Sequence, residues 1–111
     1  MIAKIYQKAI SKSRILKSQK ILKGAEPNYW MFTVLCGSSR NRLKLVKAMA
    51  KINVAAEEAH RRNDLYPVFA KYKKDPLPGV FEFDNQELII PNGFWVTDKK
   101  ADQIANILAA F

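Results

Sequence analysis

Residues 29–39 read YWMFTVLCGSS, and the expected architecture hangs on them. Tyr29 to Leu35 is an unbroken run of aromatic, aliphatic and β-branched residues. It is entered through Gly24, Pro27 and Asn28 and left through Gly37, Ser38 and Ser39. A short apolar run between turn signals predicts a strand buried on both faces, in the middle of a sheet covered by helices. Ser38 or Ser39 then offers a hydroxyl to cap a helix over residues 40–51. Its apolar stripe is Leu43, Val46, Met49 and Ala50, widened by Leu45 and Ile52.

Working outward, Ile2, Ile5, Tyr6, Ala9 and Ile10 recur at helical spacing, with Lys4, Lys8 and Lys12 on another face. A short strand over residues 4–10 is the alternative, and Ser11 or Ser13 is placed to cap a helix running to Lys23. Residues 52–56 (INVAA) fit either a second short strand or a continuation of the preceding helix. Residues 63–74 read as a helix with Leu65, Val68, Phe69 and Tyr72 on one side and Pro67 in its first turn. Residues 80–83 and 87–90, separated by residues 84–86, read as a hairpin. Thr97 or Asp98 caps a final helix whose inward positions are Ala101, Ile104, Ala105, Leu108 and Phe111. Trp30, Phe32, Phe69, Phe81, Phe83 and Phe111 are expected in the core, His60 on a solvated loop, and Trp95 either packed or exposed beside Cys36.

With 111 residues, 49% of them hydrophobic and 26% charged, the chain is sized for one domain with its own core. A lone cysteine excludes an internal disulfide and a Cys-rich zinc site, and a lone histidine argues against a His-based one, so no metal is expected. No apolar run is long enough for a membrane span, and no secretory leader is evident, which places the chain in a reducing, cytoplasmic setting. The net charge of +9 is uneven. Residues 1–51 hold twelve basic groups and the single acid Glu26, whereas residues 52–111 are slightly acidic. A basic face built from Lys4, Lys8, Lys12, Arg14, Lys17, Lys20, Lys23, Arg40, Arg42 and Lys44 would suit an acidic protein or a nucleic acid, the latter on charge alone.

The order of elements, with Cys36-Gly37-Ser38-Ser39 between a buried strand and a helix, resembles the thioredoxin-like superfamily. Cys36 stands where that family places the first cysteine of Cys-Gly-Pro-Cys. Leu77-Pro78-Gly79 before VFEFDNQEL resembles its cis-proline and following hairpin, at a similar separation from the cysteine. Gly93 before the amphipathic C-terminal segment resembles its conserved glycine and last helix. The resemblance spans about residues 29–111 and implies an α/β fold. That fold is a single thioredoxin-like domain over 1–111 with a central mixed sheet flanked by helices, and a basic segment at 1–28 that fits least well.

The resemblance implies thiol chemistry at Cys36, with Ser39 in place of the resolving cysteine. Gly37, Ser38, Leu77, Pro78, Gly93 and Trp95 would shape a substrate groove. A thiol at a helix N-terminus, followed by Arg40, Arg42 and Lys44, should ionise easily. A monothiol site needs a second thiol to release its mixed disulfide, as in monothiol glutaredoxins, whose Cys-Gly-Phe-Ser is similar. The family's Trp, Asp and Lys are replaced by Leu35, Trp30 and Ala56, so the proton-relay parts are missing. The expected function is therefore monothiol thiol–disulfide exchange without a cofactor, on a thiol-bearing or acidic protein partner. The alternative is a non-catalytic thioredoxin-fold interaction module that docks through its basic face.

Overall fold

The computed structural model describes residues 1–59, 61–74 and 76–111. His60 lies outside the described residues, and so does its expected place on a solvated loop. Helix α1 (Ile2–Ile10) leads into a two-residue strand β1 (Lys17–Ser18). Strand β2 (Phe32–Leu35) is followed by helix α2 (Ser39–Ala50). Two 3-10 helices (Asn63–Leu65 and Pro67–Tyr72) precede helix α3 (Pro78–Gln86), which runs directly into strand β3 (Glu87–Ile90). Helix α4 (Asp98–Ala110) closes the chain.

The sheet is three-stranded, in the order β1-β2-β3, and antiparallel throughout. Phe32 pairs with Ile90 and Leu35 with Glu87. Alternation along β2 turns Phe32 and Val34 into the core and leaves Thr33 and Leu35 half-buried. Strand β2 is thus buried fully on one face only, and its lone covered face suffices for an antiparallel sheet. The core gathers Tyr6 and Ala3 of α1, Phe32 and Val34, Leu45 and Met49 of α2, Leu88 and Ile90, and Ala101, Ile104 and Leu108 of α4. Helices α1 and α4 pack against each other over this core. The Tyr6 ring meets Phe32 edge-on at 5.2 Å, and its hydroxyl donates to the Pro91 carbonyl at 3.0 Å.

Several expectations hold. Ser38 caps α2 by accepting from the Asn41 N–H, and Thr97 caps α4 by accepting from the Lys100 N–H. Residues 2–10 form the helix that their spacing predicts, but it stops there. Ser13 accepts from the N–H groups of Ile15 and Leu16, turning the chain toward β1 instead of capping a helix to Lys23. Residues 51–53 form turns rather than a strand, and the chain touches the sheet further on, through an isolated bridge between Glu57 and Ile89. The single helix expected over residues 63–74 is two 3-10 pieces, broken at Tyr66, whose extended backbone (ψ 132°) suits the residue before Pro67.

The α/β class stands, but the thioredoxin-like, mixed-sheet arrangement does not, because every strand pairing among the described residues is antiparallel. The hairpin over residues 80–90 is also corrected. Pro78 opens α3, where its fixed φ and missing N–H cost nothing. The Leu77 carbonyl accepts from the Phe81 N–H, so residues 80–83 are helical. The expected core loses Trp30, which is 80% exposed, together with Phe69, Phe81 and Phe83, all exposed, and keeps Phe32. Phe111 packs against the core from its edge.

Leu108 is fully buried beneath α4. Leu108→Ala should therefore lower the unfolding free energy by about 3 kcal/mol, as a reduced urea midpoint with an unchanged slope.

Candidate functional site

Cys36 sits two residues before the Ser38 cap, not on the helix N-terminus itself. Its N–H donates to the Gln86 carbonyl at 2.8 Å, continuing the pairing of β2 with β3. Gly37 turns the chain at φ +73°, a conformation that side chains rarely adopt, and its N–H donates to the Gln86 side-chain oxygen. This turn keeps the thiol pointed inward, and Cys36 is fully buried in the core. Burial pushes its pKa up to about 11; Arg42 pulls against that shift and Glu87 adds to it. The expectation of a readily ionised thiol is thus corrected: desolvation outweighs the nearby positive groups.

Around Cys36 lies a polar cluster that the sequence did not announce. Glu87, at the start of β3, is 1% exposed. One carboxylate oxygen accepts from the Ala59 N–H at 3.1 Å; the other has no hydrogen-bond partner among the described residues. Arg42 donates to the Asp84 carbonyl at 2.6 Å and pairs with Glu58 at 3.0 Å. Arg42 is accordingly half-buried and braces α2 against the end of α3. Its hydrogen bonds point it inward, away from the exposed basic face. A glutamate at the edge of an apolar run (ELII) looks solvated in sequence; it is buried where residues 57–59 run beside β3 and the Ala59 N–H meets its carboxylate.

The remaining candidates do not share one groove. Gly37, Ser38 and Ser39 border a cavity of about 500 Å³ with Lys17, Phe81 and Gln86. Leu77 and Pro78 border another of about 390 Å³ with Arg62 and Phe81. Gly93 and Trp95 lie in a third, with Tyr29, Trp30 and Phe94, away from Cys36. There the Trp95 ring lies so close over Gly93 that an added Cβ would fall 2.1 Å from it, which explains glycine at that position. Lys4, Lys8, Lys12, Arg14, Lys17, Lys20, Lys23, Arg40 and Lys44 are all exposed, distributed over α1, the segment after it, β1 and α2. No cluster of metal-ligating side chains occurs among the described residues, and no helix there is long and apolar enough to cross a membrane.

No protein-family model and no curated protein matches the chain. Solved structures do. The sugar aminotransferase CalS13 from Micromonospora echinospora superposes with a TM-score of 0.86 at 21% identity, covering 98% of this chain and 28% of that one. The aminotransferase TlmJ from Streptoalloteichus hindustanus gives 0.84 at 16% identity, covering 98% and 29%. A DegT DnrJ EryC1 StrS aminotransferase from Brucella abortus gives 0.81 at 15% identity, again covering 98% and 29%. The chain is similar in fold to a segment of these aminotransferases and spans less than a third of their length. The thioredoxin-like resemblance is overturned by these matches, and with it both the thiol-exchange reading and the thioredoxin-fold interaction module.

Alkylation of Cys36 should be slow at pH 8 in the native protein and fast in denaturant, measured by mass against Cys36→Ser. The folded pKa of Cys36 is raised from 9.0 to about 11 and that of Tyr6 from 10.0 to about 12. The stability they contribute is present below pH 9 and is lost as pH climbs through these values. The urea midpoint should fall over that range, and Cys36→Ala should remove the part of the fall that starts at pH 9.

Proposed function

We propose that residues 1–111 form a single domain of a sugar aminotransferase, an enzyme that moves an amino group onto a keto sugar. The observation that carries this reading is the superposition of 98% of the chain on separate aminotransferases, with TM-scores of 0.80 to 0.86. Sheet, flanking helices and the long segment over residues 57–86 all participate in a match of that extent. The domain acts with the remainder of such an enzyme, since it spans under a third of the similar chains.

One of these, Spr1654 from Streptococcus pneumoniae, is known in a PLP form. PLP supplies an electron sink when held as a Schiff base by a lysine, with an acidic or basic partner at its ring nitrogen. The lysines present do not fit that role. Every lysine is exposed except Lys100, and the Lys100 ammonium is spent on the Ile52 carbonyl at 2.7 Å. None stands in an enclosed site opposite a carboxylate. The domain therefore supplies structure around such a site rather than its Schiff-base lysine.

The test is borohydride reduction of the complete enzyme that contains or recruits this chain, followed by peptide mapping. The pyridoxyl-lysine should map outside residues 1–111, and the enzyme should transfer an amino group from an amino acid to a keto sugar. A pyridoxyl label within residues 1–111, or no amino transfer to any keto sugar, would overturn the reading.

A further inference from the structure

Three large aromatic side chains stand out from one end of the sheet. Trp30 is 80% exposed, Phe94 98% and Trp95 67%. They flank the pairing of Phe32 with Ile90: Trp30 lies just before β2, and Phe94 and Trp95 follow β3. Rings of this size normally bury most of their area. Together with Asn28, Tyr29 and Asn92 they line a cavity of about 520 Å³. The arrangement is held in place. The Trp95 ring rests on Gly93, where no side chain would fit, and Phe94 meets it edge-on at 5.2 Å. The Asn28 side-chain oxygen accepts from the Trp30 N–H at 3.0 Å, and the Asn92 side-chain amide donates to the Tyr29 carbonyl at 2.7 Å. Each amide is therefore half used. The Asn28 amide nitrogen and the Asn92 oxygen have no hydrogen-bond partner among the described residues, leaving donors and an acceptor beside exposed aromatic rings.

The lining carries no charged side chain. The cavities around residues 17–20, 37–39 and 62–80, by contrast, each hold a Lys or Arg. The nearest charges along the chain, Lys4, Glu26 and Asp98, are of both signs. An ionic ligand thus finds no counter-charge in this cavity, and a wholly apolar one would strip water from two amide groups without replacing it. A pyranose ring meets both conditions. Its C–H groups, polarised by the neighbouring oxygens, are attracted to the negative face of an aromatic ring. Its hydroxyls both donate and accept, so one edge of the sugar can serve both amides. We propose that this aromatic cluster binds an uncharged pyranose unit of a glycan, stacked on Trp95 with its hydroxyls toward Asn28 and Asn92. The inference does not depend on the aminotransferase reading above.

The test is saturation-transfer NMR on the complete protein, with methyl β-D-glucopyranoside as the probe. The ring substituents of this glycoside are equatorial, so both of its faces present C–H groups. Saturation should reach its ring protons with a Kd in the millimolar range, about 1 to 10 mM. Trp95→Ala should weaken binding about tenfold, with the urea midpoint unchanged because the side chain is exposed. Trp30→Ala is the second variant and should act in the same direction. Leu22→Ala, at an exposed position outside the cavity, should bind like the parent. Cyclohexanol, which lacks the array of hydroxyls, and glucuronate, which adds a charge, should both bind more weakly than the glycoside. No saturation at about 50 mM glycoside overturns the proposal. So does binding that survives both tryptophan replacements, since the sugar then sits elsewhere, or cyclohexanol or glucuronate binding as tightly. None of these outcomes moves the pyridoxyl-lysine or the amino transfer, so the two readings fail separately.

Discussion

The contact between Tyr6 and Phe32 holds the rest of the fold in place. The edge-on ring pair fastens α1 to the central strand, and Tyr29 stacks on the same Phe32 ring at 5.9 Å. The Tyr6 hydroxyl reaches the Pro91 carbonyl just beyond β3, so one side chain ties helix, central strand and the exit from the third strand. Aromatic pairs of this geometry add to plain area burial. Tyr29 meets its stacking position with φ at +51°, an unusual backbone for an aromatic residue. Its carbonyl is held by the Asn92 side chain at 2.7 Å, and its hydroxyl by Gln7. Once this knot is set, β2 can only present Phe32 and Val34 inward, and α4 covers them.

The same constraint decides the fate of Cys36. Antiparallel pairing of Leu35 with Glu87 carries the strand one residue further, to the hydrogen bond between Cys36 and Gln86. The Gly37 turn comes only after that bond. The thiol therefore belongs to the strand and shares its inward face, although in sequence it stands next to a helix cap. The Glu87 carboxylate and the Arg42 guanidinium are near enough to act on it in opposite directions. Cys-Gly-Ser-Ser is here a strand end, a turn and a cap, each with a structural task.

Two halves of the molecule differ in how they satisfy their apolar residues. The sheet, α1, α2 and α4 form one well-covered core, whereas the two 3-10 helices and α3 contain no buried residue. The chain is similar in fold to segments of much longer aminotransferases.

What the sequence determined by itself is local. Apolar spacing in residues 2–10 and 98–110, the caps at Ser38 and Thr97, and the apolar run ending at Leu35 all act over a few residues, and all are legible in advance. The tertiary structure decided direction and partnership. Residues 80–83 are apolar enough for a strand, but Pro78 at the first helical position and contact with α2 make them a helix. Phe69, Phe81 and Phe83 have core character, yet they stay largely exposed among the described residues, because burial depends on what stands opposite and not on the residue. For the same reason the order of elements suggested one superfamily, while the antiparallel register, which arises only when distant segments meet, does not fit it.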